Sequence, residues 1–179
     1  YDKTWLQSNI ESKLLNEFKV NLSTSANISY RILPAPHFLI KDSKILVNDS
    51  EEKKSIAEIK DIKVFVSQKN FFVKEKVNLL KVIINDANFS LSRSDFKLLN
   101  DFKKKQYSNK KIKVNKSNIF FRDNLGEVIS IIKADEINLF FDKKELSNIL
   151  NLKGEIFNVP ITFDFKNRIN SIKYEEINL

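Results

Sequence analysis

Residues 20–32 read Val-Asn-Leu-Ser-Thr-Ser-Ala-Asn-Ile-Ser-Tyr-Arg-Ile, with an apolar or β-branched side chain at every even position and a polar one at every odd position. Successive side chains of a strand point to opposite faces, so this period of two predicts a half-buried strand with one apolar face. It is either one long strand or two broken near Ser23–Ser25. The preceding stretch has a different period. Between residues 3 and 18, Trp5, Leu6, Ile10, Leu14, Leu15 and Phe18 recur near i, i+4, i+8, and no Gly or Pro interrupts them. That spacing predicts an amphipathic helix whose apolar stripe caps the sheet.

Downstream, Pro34-Ala35-Pro36 ends the first strand region, because proline cannot donate to a ladder. Two short runs follow, His37–Ile40 and Lys44–Val47, around a bend at Asp42-Ser43. Asn48–Lys54 reads as a charged turn. Strand patterns then cover Lys60–Ser67, Val77–Ile84, Ala87–Leu91, Lys111–Val114, Asn118–Phe121, Glu127–Lys133, Glu136–Asp142, Leu150–Phe157 and Val159–Phe165, and Ile169–Leu179 opens another. Ser94 has the chemistry of an N-cap for a short central helix bearing Phe96, Leu99 and Phe102. The expected fold is mainly β with some helix (α+β). It is a long, curved antiparallel sheet or groove, capped by the N-terminal helix, with one short central helix. The organisation is one β-rich domain over 1–179: capping helix 1–18, first strand set 19–92, short helix and basic connection 94–110, second strand set 111–179.

The 179 residues suit one domain. With two glycines, no cysteine and a single His37, a Gly-rich phosphate loop, a Cys/His zinc site, a thiol nucleophile and a disulfide scaffold are excluded. No apolar run approaches the roughly 20 residues of a spanning helix. The chain starts at Tyr1 and has no Met, so it is expected to be a piece of a longer protein that continues past the last strand. Its abundance of Lys, Asn, Ile and Phe is what an AT-rich genome writes, which weakens each of these residues as a sign of selection.

Between 102 and 122 stand Lys103, Lys104, Lys105, Lys110, Lys111, Lys113, Lys116 and Arg122, with no acid. This run equals the net charge of the whole chain, +8. Such a segment attracts an anionic lipid surface, with Lys103, Lys104, Lys105, Lys110 and Lys111 as the candidate contacts. It also suits nucleic acid, with Phe102, Tyr107, Phe120 and Phe121 as stacking groups, or is simply a solvated connection. Only four arginines exist to fork onto phosphate, which argues against nucleic acid. No catalytic, metal-binding or cofactor-binding set emerges. His37 reads as a turn residue, and paired acids such as Asp135-Glu136 sit on strands, where neighbours face apart. No enzymatic activity is expected.

Taken in order, the helix, the long alternating strand, the break in "ILPAPHFLIKDSKILVND", the segments "LLKVIINDANFSLSR" and "VNKSNIFFRD", and the pair "GEIFNVPITFDF" resemble the N-terminal part of the bacterial AsmA-like family. That family is related in architecture to chorein-type repeating β-groove proteins. The resemblance implies a periplasmic module, anchored to the inner membrane through an upstream segment, that contributes to phospholipid transport between the inner and outer membranes and to outer-membrane biogenesis. Its partners would be acyl chains, the anionic membrane surface and other envelope proteins. The groove lining would be Val20, Leu22, Ile28, Tyr30, Ile62, Val64, Val66, Phe89, Leu91, Ile119, Phe121, Ile137, Leu139 and Phe141. The competing reading is that this face is ordinary core beneath the helix. A structural β-module of a surface protein is the remaining alternative.

Overall fold

The computed structural model describes residues 3–18, 20–24, 27–49, 52–67, 78–95, 105–169 and 175–178. One helix, α1 (Lys3–Phe18), precedes ten strands: β1 (Leu22–Thr24), β2 (Ile28–Arg31), β3 (His37–Asp49), β4 (Glu52–Val66), β5 (Leu79–Ser92), β6 (Ile112–Arg122), β7 (Val128–Asp142), β8 (Ser147–Ile156), β9 (Val159–Arg168) and β10 (Glu175–Asn178). They form a single curved, open sheet in the order β1-β3-β4-β5-β6-β7-β8-β9-β10. Because β3 pairs β4 along its length, β1 and β2 share its other edge, so the alternating segment at 20–32 is two strands. One junction departs from the expected antiparallel order: β5 and β6 pair parallel. The chain must therefore return along the sheet between Ser92 and Ile112. A 3-10 turn at Arg93–Asp95 begins this return. The short helix expected with Phe96, Leu99 and Phe102 falls on residues outside those described.

Several strands read from the sequence as separate short runs are continuous: 37–40 with 44–47, 77–84 with 87–91, 111–114 with 118–121, and 127–133 with 136–142. The expected turn at 48–54 is mostly strand too, with β3 reaching Asp49 and β4 starting at Glu52. The apparent breaks have one cause. Each of five neighbouring strands carries two consecutive polar residues between two inward-facing ones: Ile40-Lys41-Asp42-Ser43, Ile59-Lys60-Asp61-Ile62, Ile84-Asn85-Asp86-Ala87, Val114-Asn115-Lys116-Ser117 and Ala134-Asp135-Glu136-Ile137. The face parity flips there, from even to odd or the reverse. Asp42, Asp86 and Lys116 make the flip with positive φ of 52°, 52° and 48°.

The flips are in register. Ile40, Ile62, Ile84, Val114 and Ile137 form one continuous row across β3 to β7 on the inner face. Ser43, Ile59, Ala87, Ser117 and Ala134 form the next inner row, ending at Gly154. The outer side between them holds Lys41, Asp61, Asn85, Asn115 and Glu136, then Asp42, Lys60, Asp86, Lys116 and Asp135. The latter row alternates in sign, and Lys60 Nζ stands 4.0 Å from Asp86 Oδ2. Amide bonds tie the former: Asn85 Nδ2 donates to Asp61 Oδ1 (2.7 Å) and Asn115 Nδ2 to Asn85 Oδ1 (3.0 Å). A crease thus crosses the sheet. Asp135-Glu136 corrects the expectation that adjacent acids face apart, since neither lies on the apolar face here.

The inner face is covered in part by α1. Ile10, Leu14 and Phe18, one turn apart, share one buried core with Phe38, Ile40, Ile62, Val64, Val82 and Ile84 on one side of the crease and with Leu22, Ala57, Ile59 and Ala87 at and beyond it. Leu15, assigned to the stripe on spacing, is 46% exposed, while the side chains of Trp5 and Leu6 lie outside the described residues. The helix has no acid in its first turn and no base in its last, so packing rather than end charge stabilises it. Three such side chains contribute about 1.5–3 kcal/mol each.

Leu14→Ala is expected to cost about 2–5 kcal/mol in denaturant unfolding, whereas Leu15→Ala stays within about 0.5 kcal/mol of wild type. Equal effects would refute the three-residue seam. A second outcome concerns the crease. A Cβ on Gly154 would stand 2.2 Å from the backbone oxygen of Lys133. Gly154→Ala should therefore destabilise by about 1–3 kcal/mol or more, although alanine suits a strand better than glycine. A melt unchanged by this substitution would show that the bulge between β7 and β8 yields freely.

Candidate functional site

All thirteen strand residues expected to line an apolar groove lie on the inner face, and Val20 packs beside it. They divide by burial and by membership of the core. Leu22, Ile62, Val64 and Val66 are fully enclosed core, and Val20, Ile28, Phe89, Ile137 and Leu139 pack against that core. Tyr30 remains 38% exposed and meets Phe38 ring to ring at 5.4 Å. Phe141 is buried next to the returning segment, where its N–H donates to Ser108 O at 2.8 Å. Leu91, Ile119 and Phe121 differ from these. They are half-buried, on the far side of the crease, and outside the core cluster.

The sheet extends this far strip with residues that sequence spacing did not supply. Ile119 pairs with Ile132, and Ile132 with Ile156, so three half-buried isoleucines cross β6, β7 and β8 in one row. Leu91 pairs with Phe121 in the next row. Ile132 was missed because its parity is opposite to Ile137 and Leu139 on the same strand. The Asp135-Glu136 doublet was the signal that parity had changed. The strip is open apolar surface on a rigid sheet. The outer face beneath it is polar at the adjacent rows, where Asn118 Nδ2 donates to Asn88 Oδ1 (2.9 Å) and Lys133 pairs with Glu155 (2.8 Å).

A polar cluster closes the strip at its β4 side. Lys54 Nζ contacts both carboxylate oxygens of Asp95 at 2.9 and 2.8 Å, and donates to Ser92 Oγ at 3.2 Å. Asp95 Oδ2 also accepts from Ser92 N and Ser92 Oγ, each at 2.7 Å. Burial pushes the Asp95 carboxyl up, but the Lys54 and Ser92 hydrogen bonds outweigh it and hold it below its usual range. A serine beside a lysine invites comparison with a nucleophile and its base. An ammonium ion-paired to a carboxylate has no free lone pair to take a proton, so this cluster pins the 3-10 turn to β4. Among the described residues, no group of three His, Cys, Asp or Glu could hold a metal ion.

Part of the basic stretch is engaged within the chain. Lys110 pairs with Glu17 of α1 and donates to Asn78 Oδ1 at 3.0 Å. Lys113 pairs with Glu136 at 2.6 Å, and Lys111 Nζ stands 5.3 Å from the Phe140 ring centre. Lys105 is exposed, while Lys103 and Lys104 lie outside the described residues. Of the interleaved aromatics, Phe120 and Phe121 point to opposite faces, and Tyr107 is half-buried near Phe18. They do not form one stacking platform. His37 is buried as the first residue of β3 rather than in the turn, with Nδ1 donating back to Ala35 O (2.7 Å) and its ring stacked on its cross-strand partner Phe65 at 5.1 Å.

Asp95→Asn is expected to cost about 1–3 kcal/mol near neutral pH, since it leaves Lys54 without its counter-charge. A carboxyl held low in the folded state stabilises it above the unfolded value, 3.8. That contribution is lost as pH falls through the lower folded value. The melting difference between wild type and Asp95→Asn should therefore shrink in acid; a difference constant with pH would refute the ion pair. No protein-family model matches the chain, and no curated protein matches it.

Proposed function

We propose that this chain is a non-enzymatic β-groove module that carries phospholipid acyl chains, with the far strip of the inner face as the contact surface. The observation behind this reading is that part of a continuous apolar face is buried in one core with α1, while Leu91, Ile119, Phe121, Ile132 and Ile156 lie outside that core and stay half-open. A methylene transferred from water to such a surface gains about 0.8 kcal/mol, so a few contacts hold an acyl chain in place. The strip runs across the strands without a charged residue in its inner rows, which lets a chain slide along it rather than lock. The resemblance to AsmA-like proteins supports a periplasmic setting, tethered to the inner membrane and serving transport toward the outer one. No described helix is long and apolar enough to cross a membrane, so a tether would lie elsewhere in the protein.

Organic extraction of the purified chain followed by mass spectrometry should yield phospholipid. The double variant Ile119→Asp with Ile132→Asp places two carboxylates on the strip and should reduce the bound lipid at least about tenfold. Lipid-free wild-type protein, or lipid content unchanged in a folded double variant, would end this reading.

A further inference from the structure

The end of β6 and β7 that carries their shared turn has apolar side chains on both faces, beside Ser130 inside and the Arg122–Ser90 pair outside. Inside stand Phe121 and Ile132. Outside, Phe120 lies directly opposite Ile131 across β6 and β7. The tips of the two neighbouring hairpins continue this surface into solvent. Leu125 in the β6–β7 turn is 87% exposed and Phe157 in the β8–β9 turn 75%, with Ile129 at 63% between them. Exposed apolar surface gathered at one place marks an interaction site.

Two features of the turns bear on what is met there. Phe157 and Asn158 form a two-residue hairpin loop with positive φ at both, 50° and 62°. Such loops favour Asn, Asp or Gly at the first position, and a bulky side chain there is strained. Here the strained position carries a phenylalanine whose ring is mostly in water. The β6–β7 turn satisfies several of its backbone donors internally. Asp123 N donates to Glu127 O (3.0 Å) and Gly126 N to Asp123 O (3.2 Å), while Asp123 Oδ1 accepts from Leu125 N and Glu127 N, each at 2.9 Å. Arg122 Nη1 donates to Gly126 O at 2.7 Å. This turn can leave water without stranding backbone donors.

We propose that this tip dips into the headgroup–acyl boundary of a phospholipid bilayer. A protein partner laid on the sheet would cover one face, whereas exposed apolar side chains stand on both faces and at both tips, which suits a surrounding medium. The chain's net charge of +8 complements an anionic lipid surface. The inference deepens the reading of the far strip, and rests on it for the direction of the lipid path: the strip opens at the same strand ends, so an acyl chain would enter the inner face on the β7–β8 side, away from the Lys54–Ser92–Asp95 cluster beside β5.

The test is flotation of the whole chain with vesicles of phosphatidylcholine, alone and with phosphatidylglycerol. Wild type should float, and the double variant Leu125→Asn with Phe157→Asn should lose about tenfold in partitioning. Asparagine accepts positive φ more readily than phenylalanine, so the variant's melt should match or exceed wild type. Leu146→Asn is the control: Leu146 is 55% exposed with φ 51°, but in the β7–β8 turn at the opposite end, and its flotation should not change. Wild type that does not float, or a double variant that floats like wild type, overturns the proposal. So does binding that needs phosphatidylglycerol, vanishes in salt and ignores both substitutions, which would assign attachment to the lysines. Self-association abolished by the double variant, without flotation, would assign the tip to a second copy and overturn it too. Extraction of lipid separates the two readings: tip-dependent flotation of a lipid-free chain upholds the tip and refutes the carrier, and a non-floating wild type that holds lipid does the reverse.

Discussion

A strand keeps one face apolar only while its side chains alternate, and a single extra residue exchanges the faces. In this sheet five adjacent strands undergo that exchange, and they do so on one line. Had one strand flipped alone, its apolar residues beyond the flip would stand among the polar residues of its neighbours. Coherence between strands is therefore the constraint on which the sheet depends. It is met by four-residue stretches that differ in composition but share a form: two inward residues flanking two outward ones. The residues chosen match the work. Asp accepts left-handed backbone at Asp42 and Asp86, and small residues (Ser43, Ala87, Ser117, Ala134, Gly154) fill the inner row where the sheet bends. Ser117 Oγ accepts from Ala87 N at 3.0 Å and donates to Asn115 O at 2.9 Å, bridging the parallel pair where its ladder is interrupted.

The inner face holds two environments. A helix of 16 residues is about 24 Å long, and its Ile10, Leu14 and Phe18 share a buried core with rows on both sides of the crease, from Phe38 and Val114 to Leu22 and Ala87. Leu91, Ile119, Phe121, Ile132 and Ile156 are apolar by the same strand logic, yet lie outside that core. Surplus apolar surface on a curved, open sheet is the physical basis for reading a carrier rather than a closed core. The lysines that dominate the formal charge contribute less to that reading than their number suggests. Lys110 fastens the returning segment to Glu17 and Lys113 is paired across strands, so part of the positive run serves the fold.

The sequence by itself determined the class of fold, the N-terminal helix and the inward side of each uninterrupted run, because periods of 3.6 and 2 are local properties. It also determined that no thiol, zinc or Gly-rich phosphate chemistry is available, since the residues are missing. Local periodicity could not distinguish a flip of parity from a break, so continuous strands read as pairs of short ones, and Ile132 stayed off the strip it belongs to. The tertiary structure decided what depends on distant partners. Leu15 and Leu14 are neighbours with equal hydrophobicity, and only the sheet beneath them selects Leu14. The parallel junction of β5 and β6 is a choice of pairing partner, which local periodicity does not encode. Which inward residues became core and which stayed half-open was settled by what packs over them, a contact between parts distant in sequence.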